Sequence, residues 1–378
     1  MKRSIVFLSL MCLSGFFSAA LAHHSAVVFE NDRTILITGT VSQFILRNPH
    51  MIVTLDVPDE SGDIVEWDIE GQSIAGMAAM GAFGMSVPSG YGGFQEPEAP
   101  GVLPMVVATE ELSAGSLMAG SLLTRPEILV TALLEGGTED QKHRWLPMIA
   151  AGDQMVAVAV TEPDYGSDVA AIATAALRDR NDFVLTGTKM WATFAGRAEL
   201  LMVLARTDPD RTAGARGLSL FVIEKPAFPG HQFEMNQPGG GRIAGRAIDT
   251  IGYRGLHSFE VTFENWRVPA DAVIGEEAGT GRGFYLQMGA FASGRLQTAA
   301  RALGVMEAAF EEALRYSIDR TVFGRRLFDF PLTRATQARM AARIQAGRRL
   351  TYAAAAALDT REGQSLAAMA TALTSRAA

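Results

Sequence analysis

The chain changes its hydrophobic period along its length, and each change predicts a different kind of structure. Behind Lys2 and Arg3, residues 5–17 are largely apolar and close on Ala20-Leu21-Ala22. A charged start, a short apolar core and a small-x-small end predict a secretory signal peptide over residues 1–22. The run is short for a membrane span, so no stable span is expected after cleavage. β-Rich runs follow at residues 34–38, 51–57 and 64–69, and Ser61-Gly62-Asp63 predicts a hairpin turn between the last two. From Ile74 the period is helical, with apolar positions three and four apart over 106–112 and 127–134. Gly136-Gly137-Thr138 predicts a helix end followed by a new N-cap, and Trp145-Leu146-Pro147 the end of that second helix. Strand-like runs then dominate at 155–160, 183–186, 200–205, 218–223 and 259–263, with Gly187-Thr188 read as a hairpin turn. Beyond Leu296 the positions Ala300, Leu303, Ala309, Phe310 and Ala313 predict an amphipathic helix. Residues 340–358 and 366–377 predict two more.

Composition narrows the function classes. With 378 residues, 48% of them hydrophobic and 20% charged, the chain suits two or three globular domains. A net charge of −8 argues against a nucleic-acid-binding surface. The lone cysteine, Cys12, falls in the leader, which leaves no disulfide or thiol chemistry for the rest. A new amine at the mature start, with His23, His24 and His50, would offer nitrogen donors for copper; the plainer reading is solvated histidines at a frayed terminus. No metal-ligand spacing is present, so no metal is expected.

Candidate chemistry concentrates in Val160-Thr161-Glu162-Pro163-Asp164-Tyr165-Gly166-Ser167-Asp168 and in Lys189-Met190-Trp191-Ala192-Thr193. On an extended strand Trp191 and Thr193 face the same side. An aromatic slab beside hydroxyl donors suits a flat heterocycle with a phosphate tail; an ordinary strand–turn pair with a core tryptophan is the alternative. These residues resemble the flavin-binding segment of the acyl-CoA dehydrogenases, and the resemblance runs from about Ile74 to the C-terminus. It implies an α+β multidomain, acyl-CoA dehydrogenase-like chain. Its parts are a partial N-terminal helical domain (73–152), a central flavin-binding β-barrel (153–270) and a truncated C-terminal helical bundle (271–378). A small β-rich secreted module (23–72), similar to small secreted bacterial proteins of unknown function, precedes them.

The resemblance also implies an FAD cofactor. Thr161 would bond the pyrimidine side of the flavin, with backbone help from Val160. Ser167 would reach the pyrophosphate, Trp191 would flank the ring, and Thr193 would donate toward N5. Glu162 would hold its own loop. Arg320 and Phe323 would meet the FAD of a neighbouring subunit, although Val322 replaces a hydrogen-bonding residue there. Arg295 sits where the family has an arginine near the CoA tail. Arg125 fits two readings equally, a bidentate partner for a substrate carboxylate or a surface arginine at a helix start.

No catalytic base is identified. Removing the weakly acidic α-proton of an acyl thioester needs a positioned carboxylate. The family's glutamate is expected beyond residue 378, and the alternative position in some members is Gly294 here. Implied partners are an acyl-CoA substrate, an electron-transferring flavoprotein and further copies in a dimer or tetramer, with no nucleic acid.

Gly239-Gly240-Gly241-Arg242-Ile243-Ala244-Gly245-Arg246 lacks a βαβ context and is read as a flexible loop rather than a dinucleotide fingerprint. With Ile251-Gly252-Tyr253-Arg254-Gly255 and residues 294–301 it is similar to the methylsuccinyl-CoA dehydrogenase branch, whose substrate carries a distal carboxylate. The leader directs export to the periplasm, whereas the dehydrogenase portion is of cytoplasmic type. A join of two unrelated pieces near Gln72 is the expectation, and with it a catalytically impaired dehydrogenase. The alternative is a secreted binding or metal-handling module with a non-functional dehydrogenase passenger.

Overall fold

The computed structural model describes residues 4–6, 38–47, 50–58, 62–72, 76–78, 80–96, 101–253 and 256–378. It divides into two compact units, Met1–Ala82 and Phe83–Ala378.

The first unit holds an antiparallel sheet in sequence order: β1 (Ser4–Val6), β2 (Thr38–Arg47), β3 (His50–Pro58) and β4 (Ile64–Gln72). The pair β3–β4 keeps one register from His50↔Gln72 to Pro58↔Ile64. Gly62 in its connection has φ 88°, as a tight turn requires. β2 is absent from the sequence reading because Thr40, Ser42 and Gln43 interrupt its apolar run. An irregularity between Val41 and Gln43 also shifts its alternation. The expected cleavage point at Ala22, with His23 and His24, lies outside the described residues.

The second unit opens with three helices, α1 (Leu103–Gly115), α2 (Leu117–Gly136) and α3 (Glu139–Ala151). Thr138 caps α3, as the sequence predicts, and Gln141 completes a full capping box with it. Pro147 does not end α3. The helix runs on to Gly152, whose left-handed φ of 75° closes it. α2 has the length and mean hydropathy (1.4) of a membrane span, but 72% of it is buried within the protein, which makes it a core helix. Leu123, Leu129 and Leu133 are fully buried on it, each contributing about 1.5–3 kcal/mol of apolar burial.

An eight-stranded sheet follows, made of β5 (Val156–Ala159), β6 (Ala175–Asp179), β7 (Asp182–Thr193), β8 (Leu200–Arg206), β9 (Leu218–Glu224), β10 (Gln232–Asn236), β11 (Arg242–Ala247) and β12 (Ser258–Pro269). The order is β10-β11-β12-β7-β6-β8-β5, with β9 also on β8. No described pairing joins β10 to β9, so this is an open half-barrel and not the closed barrel expected.

Two sequence expectations change here. Gly187 is not a turn but the middle of continuous β7. Its φ is 149°, and a Cβ there would stand 2.6 Å from Thr174 Oγ1, so the glycine serves close approach to Thr174. The true β6–β7 turn is Arg180-Asn181, between the paired Asp179 and Asp182. Residues 242–246 are likewise strand, not loop. Gly239 and Gly240 turn the β10–β11 hairpin, and Gly245 leaves room for the Phe233 ring.

The C-terminal bundle is α4 (Gly283–Asp319), α5 (Pro331–Ala356) and α6 (Arg361–Ala377). One core cluster joins α2 and α3 to β5, β8, β9 and the start of α4, through Leu133, Trp145, Val156, Met202, Leu220 and Leu286. A second joins α1, α4, α5 and α6 through small residues such as Ala300, Ala354 and Ala367. Met369 and Leu373 stay exposed on α6.

Candidate active site

The loop after β5 is built around a buried ion pair. Glu162 and Tyr165 exchange backbone hydrogen bonds (Glu162 N to Tyr165 O, 2.9 Å; Tyr165 N to Glu162 O, 3.3 Å), closing a tight turn. The Glu162 carboxylate accepts from the amides of Ala173 (2.7 Å) and Thr174 (2.9 Å) and from Lys189 Nζ (2.8 Å). Lys189, with no exposed surface, also donates to the Val160 carbonyl at 3.0 Å. Burial pushes the Lys189 ammonium down to about 8 against the pull of Glu162. For Glu162, burial works upward, but Lys189 and the donors from Thr174 and Ala173 outweigh it and hold the carboxyl below its ordinary range. Met190 N donates to Thr161 O (2.8 Å), which extends the attachment of loop to strand.

Next to Lys189 the strand departs from simple alternation. The register moves between Lys189↔Val261 and Ala192↔Phe259, so Met190 and Trp191 together oppose one residue of β12. Trp191 sits in the left-handed region at φ 60°, strained for an aromatic residue. Trp191 and Thr193 do share a cavity, but the bulge brings them there and Met190 joins them; alternation alone is not the cause. Thr193 Oγ1 is set by a 2.8 Å bond with Ser258 Oγ, a partner the sequence reading missed.

That cavity, about 190 Å³, is lined by Thr124, Arg125, Ile128, Val158, Val160, Thr161, Met190, Trp191, Thr193 and Phe291. Its donor set tests the expected cofactor. An indole 52% exposed stands beside the threonines at 161 and 193, and Thr124 Oγ1 is buried without a hydrogen-bond partner. Hydroxyls around an aromatic face match the polar edge and flat body of an isoalloxazine ring, so the residues present fit FAD. Ser167 and Gly166 lie exposed on the same loop.

One lining residue is cationic, Arg125. Arg125 lies in the middle of α2, with Pro126 inside the helix, so the helix-start reading falls. Its guanidinium donates to Ser121 O (2.5 Å) and Tyr253 Oη (3.2 Å). Arg301 of α4 donates to the same Tyr253 Oη (3.1 Å), to Ser121 Oγ (2.9 Å) and to Thr298 Oγ1 (2.9 Å). Neither arginine meets a carboxylate among the described ion pairs. Burial lowers the Arg301 pKa, with Arg125 acting in the same direction against the phenol. Burial raises that of Tyr253, but Arg125 and Arg301 outweigh it and the phenol ends below its ordinary value. In the sequence Tyr253 and Arg301 belong to separate local motifs; their meeting is a tertiary event.

Gly294 is buried, and a Cβ there would meet Ile128 Cδ1 at 3.3 Å, so this position faces the cavity wall without a carboxylate. Glu127, one residue before the lining Ile128, is 1% exposed. It accepts from Ser293 and keeps Oε2 unpartnered; burial raises it to about 7 against the Ser293 bond. It does not line the cavity. Arg295 is exposed and outside the lining. Arg320 and Phe323 (97% exposed) lie past the far end of α4, roughly 40 Å from Phe291 at 1.5 Å per residue, so neither reaches this cavity. No group of three or more metal-ligating side chains occurs among the described residues.

Three domain models match the chain: acyl-CoA dehydrogenase N-terminal domain over 54–153, middle domain over 157–266 and C-terminal domain over 281–378. A family of unknown function (DUF6152) matches 10–91, overlapping the first. The chain is 40% identical over 280 residues to (2S)-methylsuccinyl-CoA dehydrogenase of Cereibacter sphaeroides, covering 74% of this chain but 49% of that protein. It thus spans about half the length of that relative. It is 34% identical over 285 residues to an acyl-CoA dehydrogenase of Bacillus subtilis, covering 75% of this chain and 70% of that one. Among solved structures, butyryl-CoA dehydrogenase from Megasphaera elsdenii superposes with a TM-score of 0.71 at 30% identity, over 81% of this chain and 76% of that one. A glutaryl-CoA dehydrogenase from Mycobacterium smegmatis, in complex with FADH2, gives 0.68 at 26%, over 80% and 73%. Helices before a half-barrel, the bundle after it and the cavity between them therefore have one shared origin: the chain belongs to the acyl-CoA dehydrogenase family.

Proposed function

We propose that the chain binds FAD and a CoA thioester whose acyl group ends in a carboxylate, methylsuccinyl-CoA being the favoured example. The observation that carries this reading is the pair Arg125–Arg301, two half-buried guanidiniums on one phenol at the edge of the cavity. Like charges held together without an anion are costly, and a bidentate carboxylate relieves that cost. Bound FAD supplies the acceptor for the β-hydride. The protein's own part is to seat the ring against Trp191, to offer the Thr161 and Thr193 hydroxyls to its polar edge, and to orient the acyl tail on Arg125. The α-proton step needs a carboxylate, and none of the lining residues supplies one. Turnover by residues 1–378 is therefore expected to be slight, and a family-level rate with methylsuccinyl-CoA and an artificial acceptor would refute this. An electron-transferring flavoprotein is the natural acceptor of the family. Arg320 and Phe323, far from the cavity and exposed, suit service to another copy's flavin.

The test is a titration of the FAD-loaded protein with methylsuccinyl-CoA and with butyryl-CoA, followed in the flavin absorbance. The dicarboxylic thioester should bind about tenfold tighter or better, and Arg125→Gln should remove the preference. Equal affinities would end the substrate reading, and failure to take up FAD would end the whole proposal. A second reading rests on the match of residues 10–91 to a family of unknown function: an exported module whose dehydrogenase portion is a passenger. A stable colourless periplasmic fragment beginning at His23 would favour it, and a yellow full-length protein would favour the first.

A further inference from the structure

We propose that Lys189 is a positioning residue for the flavin, acting through the Val160–Thr161 peptide and not merely as one half of a structural ion pair. The inference deepens the FAD reading above and depends on it. Its geometric basis is the double engagement of Lys189 Nζ, which donates to Glu162 Oε1 at 2.8 Å and to the Val160 carbonyl at 3.0 Å. The carbonyl contact satisfies a second N–H of the buried ammonium and, in doing so, ties the ion pair to a peptide that lines the cavity. The Val160 carbonyl belongs to the same peptide plane as the Thr161 N–H, and both residues line the cavity. An ammonium on that carbonyl fixes the plane. It also polarises the peptide, so that the amide on the cavity side becomes a stronger donor toward a partner gaining negative charge. Met190 N holds the next carbonyl, Thr161 O, at 2.8 Å. Strand β7 therefore grips two successive peptide units of the loop, one by a side chain and one by its backbone.

The surroundings favour a charged role. Lys189 has no solvent contact, Glu162 is the charge set against it, and the paired strand β12 presents Val261 at the opposite register position. Burial already draws its proton affinity down to about 8, so the charge is held at neutral pH and given up on mild alkalinisation. Glu162 in turn is anchored by the Ala173 and Thr174 amides, which keeps the pair from swinging away from Val160.

The experiment compares FAD affinity, measured by quenching of FAD fluorescence on the apoprotein, in three proteins. These are the wild type, Lys189→Met and the double variant Glu162→Gln/Lys189→Met; the flavin midpoint potential is read on whichever forms load. Lys189→Met leaves Glu162 buried alone, so weakened binding by that variant has to be read with its melting curve. The double variant removes both charges and keeps one of the two oxygen acceptors that serve the loop amides, so its fold should largely recover. A positioning lysine predicts that the double variant melts like the wild type yet binds FAD about tenfold or more weakly, with a lower potential. Wild-type affinity in a well-folded double variant would overturn the proposal.

The unaltered protein gives a second measurement. Its FAD affinity should fall severalfold between about pH 7 and about pH 9.5 as Lys189 loses its proton; an equal fall in the double variant, which has no lysine there, would overturn the proposal as well. A wild type that binds no FAD at all would fault the cofactor reading instead.

Discussion

Next in sequence to the cavity-lining Thr161 and Met190, Lys189 and Glu162 face each other at 2.8 Å, almost without exposed surface and ringed by backbone partners. Behind the cavity-lining Arg125, Arg301 converges with it on a single phenol oxygen, with no carboxylate among their described partners. Both arrangements bury charge beside the same space, but only the first is compensated from within the chain. A compensated pair fixes geometry, here that of the loop. An uncompensated pair stores an attraction for something not yet present, and its sign says what that is. The contrast separates the part of the cavity that the fold holds ready from the part that waits for a substrate.

The comparison can be broken most forcefully at the compensated end. Lys189→Ala strands a buried carboxylate and should cost about 3–5 kcal/mol in urea unfolding, with the Glu162→Gln/Lys189→Met pair returning to near wild-type stability. Glu127 is an internal check on what burial without a counter-charge does. Its folded-state pKa, about 7, lies above its unfolded value, so its stabilising contribution is complete below about pH 4 and is lost as pH rises through 7. Glu127→Gln should flatten that slope, a difference on the order of 3 kcal/mol by pH 8. At the uncompensated end Arg301→Met should weaken a dicarboxylic CoA ligand by about 1.5–2 kcal/mol. Unfolding should leave this variant no less stable than the wild type, since a like-charge neighbour has gone. A clear loss of stability there would mean the arginines are structural. Smallest is Ser258→Ala, which frees the Thr193 hydroxyl and should cost about 1 kcal/mol of FAD affinity in the same quenching titration.

The flavin-side loop was legible because its chemistry is local: hydroxyls, proline and glycine within a few residues of Thr161. The N-cap at Thr138 and the strands at 200–205 and 218–223 were legible for the same reason, each carrying its own periodicity or cap. What escaped depends on neighbours distant in sequence. Gly187 reads as a turn until Thr174 is packed against it. β11 reads as a glycine loop until the Phe233 ring fills the space over Gly245. Lys189 looks like any surface lysine, and only burial against Glu162 reveals it. Arg301 and Tyr253 meet across 48 residues, a separation no motif encodes.

The bulge that displaces Trp191 has a practical result. Trp145 and Trp266 are buried, at 1% and 5% exposure, while Trp191 is half open to water at the cavity mouth. An indole in water emits at longer wavelength than one in a core, so among Trp145, Trp191 and Trp266 the red edge should come from Trp191, with Trp67→Phe removing the fourth tryptophan from the signal. A molecule settling into the cavity would quench or blue-shift that edge and leave the core emission alone. The strained residue at the seat of the site is thus a built-in optical gauge of occupancy, readable without any label.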